Sequence, residues 1–272
     1  MKIGVTLRNM GVQSSAELML AAAQAAEAAE MESVWVTDHI AIPPDDAEGS
    51  GGRYLDPLIS LSVLAGATSR IRLGTGVLIL PYRPPLPTAK QIASLQELSG
   101  ERLLLGIGIG WMDPEFRALG IDRHQRGRQS DETLSFINRC FENSEDLAEA
   151  NGQPFLFRPN PNPPPIYVGG RAPHALQRAL RHGAGWLPMA ADPDRLARDM
   201  AEFRRLAEVS GREPGPVTLM APLPLTQPEE AASLLERYSD LGVERIVCAL
   251  RYDTLPEYQY ALELLRGLNR PS

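Results

Sequence analysis

The sequence predicts one α/β barrel of eight parallel strands, the (β/α)8 or TIM-barrel class, with insertions after the second and fourth strands and before the fifth. Three observations point to it. Short β-branched runs alternate with longer helical patterns from end to end, as repeated βα units do. The 272 residues suit a barrel of roughly 250 residues with modest insertions, so one domain over residues 1–272 is expected. Polar residues and glycine gather where the strand runs end, at the edge where such barrels keep their chemistry.

The first strand run is Ile3 to Leu7, ending on Arg8-Asn9, and Ser14 stands three residues before Glu17 as in a capping box that opens a helix. The second run, Ser33-Val34-Trp35-Val36-Thr37, stops on Asp38-His39. A loop from Ile40 to Tyr54 follows, stiffened by Pro43-Pro44 and loosened by Gly49-Ser50-Gly51-Gly52. Asp56-Pro57 then pairs a cap with proline at the first helical position. The third run is Ile71 to Val77 and the fourth Leu103 to Ile109, with Ser99-Gly100 closing the helix between them. Two segments interrupt the frame: Trp111 to Gly127, and Asn143 to Pro165 with six prolines from Pro154 onward. Irregular insertions of that length are lids or linkers. The remaining runs are Ile166 to Val168, Gly185 to Leu187, Val217 to Met220 and Arg245 to Ala249. Asp192-Pro193 and the Thr254 to Glu257 spacing open helices among them, and Ser210-Gly211 and Leu241-Gly242 close them.

Composition narrows the function. With 34 acids against 27 bases the net charge is -7, so bulk electrostatics draw the chain neither to nucleic acid nor to a membrane, and a small-molecule partner is expected. Cys140 and Cys248 are the two cysteines, one in a helical and one in a strand pattern, which builds no disulfide framework or cysteine metal site. No apolar leader follows Met1 and no run of about 18 uncharged apolar residues occurs, so a cytoplasmic protein is expected. Lysine occurs at Lys2 and Lys90, neither at a strand's C-terminal end, which disfavours Schiff-base chemistry.

The strand ends offer few acids or bases. A glycosidase wants two carboxylates facing each other across the mouth, but beyond Asp38 the nearest acids, Asp113 and Glu115, lie in an insertion. His39, His124, His174 and His182 show no metal-ligand spacing, so no metal is expected. What remains is glycine, small apolar residues, arginine and one Asp-His pair, which suits a flat cofactor that brings its own reactivity. Gly108-Ile109-Gly110 and Gly169-Gly170-Arg171 lack Cβ atoms where backbone N–H groups approach an anion, and the second lip opens a helix at Ala172-Pro173. Glycines that merely turn strands into tight loops are the other reading of these lips, and both stay open. The spacing of Gly106-Ile107-Gly108-Ile109-Gly110 does not match a dinucleotide fingerprint. Trp35 is expected in the barrel core, and Trp186, ending the sixth strand, in the core or against a cofactor. His174 is expected at the surface. Arg126 and Arg128 near Asp131 and Glu132 read as ion pairs fixing the insertion, with a substrate clamp of Arg126, Arg128 and Glu132 as the other reading.

Taken together, Ser33-Val34-Trp35-Val36-Thr37-Asp38-His39, Asp56-Pro57-Leu58, Ala67-Thr68-Ser69-Arg70-Ile71-Arg72-Leu73-Gly74-Thr75-Gly76-Val77, Glu115-Phe116 with Arg126-Gly127-Arg128, and Pro165-Ile166-Tyr167-Val168-Gly169-Gly170 resemble the bacterial luciferase-like monooxygenase superfamily. The nearest likeness is to its branch of coenzyme F420-dependent oxidoreductases. The resemblance implies a barrel that holds F420 or FMN at its C-terminal mouth, and often a homodimer. It implies that the ring rests on a bulge at Thr75-Gly76-Val77, with a non-proline cis peptide falling at Gly76-Val77. The cofactor phosphate would lie on the backbone of Gly108, Ile109 and Gly110 and of Gly169, Gly170 and Arg171. His39 matches a position that in some F420 enzymes acts as a base or stabilises the reduced ring, with Asp38 placed to orient it or raise its pKa; a histidine that only hydrogen-bonds the cofactor or the Ile40 loop is the other reading, and both stay open. Where F420-dependent sugar-phosphate dehydrogenases carry a glutamate after strand four, this chain has Trp111, which points to an apolar or aromatic substrate wall shared with Trp186. F420 and FMN present the same ring and phosphate, so the residues do not choose between them. Arg53, Arg83 and Arg171 are rim candidates for the polyglutamate tail of F420. Two other readings stay open: a flavin-binding barrel without turnover, and a phosphate-binding barrel isomerase.

Overall fold

The computed structural model describes residues 1–142, 147–189 and 192–268. Eleven strands occur among them: β1 (Lys2–Thr6), β2 (Ser33–Val36), β3 (Arg72–Thr75), β4 (Leu78–Ile79), β5 (Leu103–Gly108), β6 (Leu147–Ala150), β7 (Gln153–Leu156), β8 (Ile166–Gly169), β9 (Gly185–Leu187), β10 (Thr218–Ala221) and β11 (Arg245–Cys248). Parallel pairing runs β10-β11-β1-β2-β3-β5-β8-β9, and bridges Trp186 to Val217 and Met189 to Met220 bring β9 back beside β10. The result is a near-closed eight-stranded parallel barrel. The third predicted strand is broken after Thr75, and its continuation β4 pairs with β5. The proline-rich segment holds an antiparallel hairpin, β6 with β7, that the sequence reading did not foresee.

Nine α-helices among the described residues flank the barrel: α1 (Ala16–Ala28), α2 (Pro57–Ala67), α3 (Pro85–Leu98), α4 (Asp113–Ala118), α5 (Arg126–Glu142), α6 (His174–Arg181), α7 (Pro193–Ser210), α8 (Pro228–Asp240) and α9 (Leu255–Leu268). Their ends follow the chemistry of their caps. Asp56 Oδ1 accepts from the N–H groups of Leu58 and Ile59, and Asp192 from those of Asp194 and Arg195. The cap of α1 is Ser15, accepting from Leu18, one residue later than expected; Ser14 instead donates to the Gly11 carbonyl. Gly100, Gly211 and Gly242 all take positive φ at helix ends. No helix among the described residues is long and apolar enough to cross a membrane.

Two apolar layers result from strand alternation. Trp35, Leu104, Tyr167, Leu187, Met220 and Val247 fill the barrel interior, while the larger cluster, including Trp186, Phe203 and Leu196, lies between strands and helices. Trp35 fits because Gly74 is its register partner on β3, and a Cβ there would overlap the indole. The start of β3 is gripped by Glu27 of α1, whose carboxylate accepts from the backbone of Ser69, Arg70 and Ile71. Partial burial opposes ionisation of Glu27, but those N–H groups hold its carboxyl down to about 2.

Arg245 closes the barrel floor. It is 0% exposed, and it donates to Glu32 through Nε (2.7 Å) and Nη2 (2.8 Å) and to Tyr167 Oη (2.9 Å) and Thr218 Oγ1 (3.0 Å) through Nη1. Burial of a guanidinium is costly, and here every partner is a hydroxyl or carboxylate that meets the fork. The Arg245→Met variant is expected to lower the unfolding free energy by about 3–5 kcal/mol in a urea titration, the cost of breaking a buried pair from one side. A loss under about 1 kcal/mol, the scale of an exposed pair, would show that the floor does not depend on it.

Candidate active site

The C-terminal ends of β1, β2 and β3 are tied together before any ligand is considered. Asn9 is fully buried; its amide donates to the carbonyls of Thr37 (2.7 Å) and Leu55 (2.9 Å), and its Oδ1 accepts from the Thr37 N–H (3.0 Å). Asp38 is buried as well. Its Oδ2 accepts from the Ile79 N–H (2.8 Å) and from Arg83 Nη1 (2.6 Å), and its Oδ1 from Arg83 Nη2 (2.9 Å). Arg83 Nη2 also donates to Asp56 Oδ2 (2.9 Å). Burial opposes the charge on Arg83, and the two carboxylates override it and push the guanidinium above its ordinary value. Two expectations are corrected here. Asp38 does not orient His39, because both its oxygens are committed to Arg83 and Ile79; and Arg83 is no rim charge for an anionic tail, because it is spent inside this ion pair.

His39 finds its carboxylate elsewhere. Its Nδ1 lies 2.9 Å from Oε2 of Glu115, a residue of α4 that is 0% exposed. The same Oε2 accepts from Tyr82 Oη at 2.8 Å, and Oε1 accepts from the N–H groups of Ile40 (2.6 Å) and Ala41 (3.0 Å). Burial works against the Glu115 anion, yet these four donors hold its carboxyl below the usual carboxylate range. The imidazole is flanked by Tyr54, with ring centroids 4.9 Å apart, and edge-on by Trp111 at 6.1 Å. Trp111 is 64% exposed.

The peptide bond Gly76-Val77 is cis. Val77 packs against the interior cluster, and the strands beside it make room by carrying glycine: a Cβ on Gly108 would overlap Val77 Cγ2, and one on Gly169 would stand 2.7 Å from Val77 Cγ1. At these two positions the missing side chains therefore seat Val77, a packing reason that the sequence reading did not contain. Gly110 has φ +75°, and Phe116 and Ile79 occupy the space its Cβ would need; Gly170 has φ +128°. The Thr75 hydroxyl is spent on the Gly106 carbonyl at 2.7 Å. Arg171 is exposed beside the second lip.

Trp186 is also corrected. It is 0% exposed, packs edge-on to Phe203 of α7, and donates its indole N–H to the Gly170 carbonyl at 2.9 Å. It belongs to the layer behind the barrel and lines no mouth; its neighbour Leu187 points inward.

A feature missed from sequence lies beside the glycine lips. A cavity of about 310 Å3 is lined by Ile109, His124, Arg126, Gly127, His174 and Arg178, among others. The first turns of α5 and α6 both border it, so two positive helix ends face the same space. Asp131 neutralises Arg178 (2.6 Å) and Arg181 (2.9 Å), but among the described residues Arg126 reaches only the Arg123 carbonyl, and its buried Nε has no hydrogen-bond partner among them. Arg126 is thus not the ion pair expected of it, whereas Arg128 does pair with Glu132 at 3.2 Å. His174 is exposed, as expected, and borders the cavity. Among the described residues no group of His, Cys, Asp and Glu stands together as metal ligands would.

The family described as luciferase-like monooxygenase matches residues 1–264. The chain belongs to that family. The F420-dependent hydroxymycolic acid dehydrogenase of Mycobacterium tuberculosis is 33% identical to it over 227 residues, covering 78% of this chain and 59% of that protein. Solved structures share the fold at low identity. An F420-dependent secondary alcohol dehydrogenase in complex with an F420-acetone adduct superposes with a TM-score of 0.81 at 15% identity, over 98% of this chain and 97% of that one. The FMN complex of the oxygenating constituent of 3,6-diketocamphane monooxygenase, from Pseudomonas putida, does so with 0.79 at 14% identity, over 98% and 96%. Luciferase-like relatives are thus F420-dependent or bound to FMN.

The seat of Val77 is open to a double-substitution test. Gly108→Ala is expected to destabilise the fold by about 1–3 kcal/mol through overpacking. Adding Val77→Ala should recover most of that loss in the same denaturant titration, since it removes the clashing methyls. Additive losses would contradict the packing account.

Proposed function

We propose that the chain is an F420- or FMN-dependent oxidoreductase that transfers hydride to or from, or activates oxygen against, a small organic substrate with an apolar or aromatic face. The observation that carries this reading is the arrangement of three features along one mouth. Val77 forms an apolar shelf after the cis bond; in strand order His39 follows β2 on one side of it, and a cavity lined by Arg126, Arg178, Arg181 and Asp131 adjoins Ile109 after β5 on the other. A flat heteroaromatic ring with a phosphate-bearing side arm matches that sequence of surfaces.

The residues present fit such a cofactor. Val77 and Gly76 would support the ring; the backbone of Gly108, Ile109, Gly110, Gly169, Gly170 and Arg171 would face the side arm; and Arg126, with its unused buried Nε, would meet the phosphate together with the two helix ends. The cofactor, when bound, supplies the electron pair or takes it. His39 then holds or moves a proton at Nε2, which has no hydrogen-bond partner among the described residues while Nδ1 is engaged by Glu115. Asp38 serves through the ion pair with Arg83, which fixes the chain after Val77. Tyr54 and Trp111 wall the substrate side with aromatic surface.

Parallel titrations with FMN, F420 and phosphate-free riboflavin, followed by tryptophan fluorescence quenching, test the reading. Tight binding of FMN or F420 with riboflavin weaker by about tenfold or more is expected, and Arg126→Met should narrow that gap, in line with a charge-assisted hydrogen bond. His39→Ala should lower turnover on alcohols, ketones or aldehydes by about 10²–10⁴-fold and leave cofactor affinity nearly unchanged. No response to either cofactor would overturn the redox reading and favour a phosphate-binding barrel of another class.

A further inference from the structure

We propose that Glu115 is the positioning residue of this site: its buried carboxylate holds His39 with the proton on Nδ1 and so leaves Nε2 as the lone-pair nitrogen at the mouth. The inference rests on the reading of His39 as the proton-handling group. It follows from donor and acceptor counting. An ionised carboxylate offers acceptors only, and the two oxygens of Glu115 meet four groups: the N–H of Ile40 and of Ala41 on Oε1, and Tyr82 Oη and His39 Nδ1 on Oε2. Backbone N–H groups are donors without choice. Tyr82 keeps its proton, because burial and the adjacent Glu115 push its phenol upward. A neutral imidazole turning a bare Nδ1 toward Oε2 would set lone pair against lone pair beside a carboxylate that is itself fully buried, so the proton must sit on Nδ1.

The same carboxylate joins two pieces of chain that sequence alone leaves apart. Ile40 and Ala41 begin the loop after β2, and Glu115 lies in the helix after β5, 76 residues from His39. The direction of the imidazole therefore depends on the second insertion being docked on the first loop. Trp111, four residues before Glu115, is set against His39 by the same docking.

Glu115→Gln makes the proposal testable, because an amide carries one acceptor oxygen and two donor hydrogens. The N–H groups of Ile40 and Ala41 cannot reverse, so the amide oxygen must face them and the amino group must face His39 and Tyr82. The tyrosine hydroxyl can rotate to accept. His39 can accept only by moving its proton to Nε2. The substitution is thus expected to invert the tautomer.

The experiment is a two-bond proton–nitrogen correlation spectrum of the full chain, labelled with 15N-histidine, free of cofactor and at a pH where His39 is neutral. His39 is one of four histidines and is assigned by its loss in His39→Asn. The wild-type protein is expected to show a pyrrole-type Nδ1 and an imine-type Nε2, Glu115→Gln the exchange of these two shifts, and Tyr82→Phe the wild-type pattern. A wild-type proton on Nε2, or an unchanged tautomer in folded Glu115→Gln, would overturn the proposal. Should Glu115→Gln fail to fold, the wild-type and Tyr82→Phe spectra decide. Because the spectra need no cofactor, a wrong tautomer in a protein that binds FMN or F420 sinks only this inference, and a correct tautomer in a protein that binds neither sinks only the redox reading.

Discussion

Val77 can stand at the mouth of this barrel because the next two strands in barrel order, β5 and β8, present no side chain to it. Gly108 on β5 and Gly169 on β8 leave the space that its two methyls occupy, and Gly76 before it faces Met220 of β10 across the interior, where a Cβ would overlap Cε. In a close-packed interior such a gap is a constraint as strict as a contact. The break between β3 and β4 falls at this point: β3 pairs with β2 as far as Thr75 and with β5 as far as Gly74, and β4 resumes the pairing with β5 from Leu78. The proposed cofactor platform is thus a packing solution before it is a binding site.

Buried charge fixes what packing leaves free. Three groups of ionised side chains lie at different heights, and each is satisfied by several partners, the condition under which burying charge is tolerable. Arg245 with Glu32 gathers β2, β8, β10 and β11 at the floor. Arg83 with Asp38 and Asp56 binds the end of β2 and the cap of α2 to the turn after β4. Glu115 at the rim turns His39 and holds the loop at Ile40. The first two frame the barrel, and the third holds the imidazole of His39, the proposed proton-handling group.

Most of the barrel was legible because its strands are β-branched runs bounded by glycine, proline or charge, and such local signals survive without tertiary information. All eight predicted runs coincide with barrel strands within a residue or two, apart from the third, which the structure divides at Gly76. The hairpin at Leu147–Leu156 was hidden because Pro154 reads as a strand breaker, and it is tolerated where only one partner strand exists. The site was legible in place but not in wiring. His39 was singled out by its position at a strand end, yet Asp38 was taken as its partner because it is adjacent in sequence, and successive residues point away from each other at a strand's end. Glu115 was visible as an acid within an insertion and as part of the family resemblance, but with no partner assigned to it. Trp186 was undecided because a three-residue strand gives too little alternation to fix a face.

The proposed function requires a planar cofactor ring resting on Val77. Methyl NMR of the 13C-methyl-valine protein on adding FMN or F420 tests it most directly, because the ring current of a stacked heteroaromatic acts on the methyls beneath it. The account predicts a large upfield shift of both Val77 methyls, assigned through Val77→Ala, with little change at Val34 and Val36, which are packed outside the barrel interior. Binding detected by fluorescence quenching with Val77 unmoved would place the cofactor elsewhere and contradict the account.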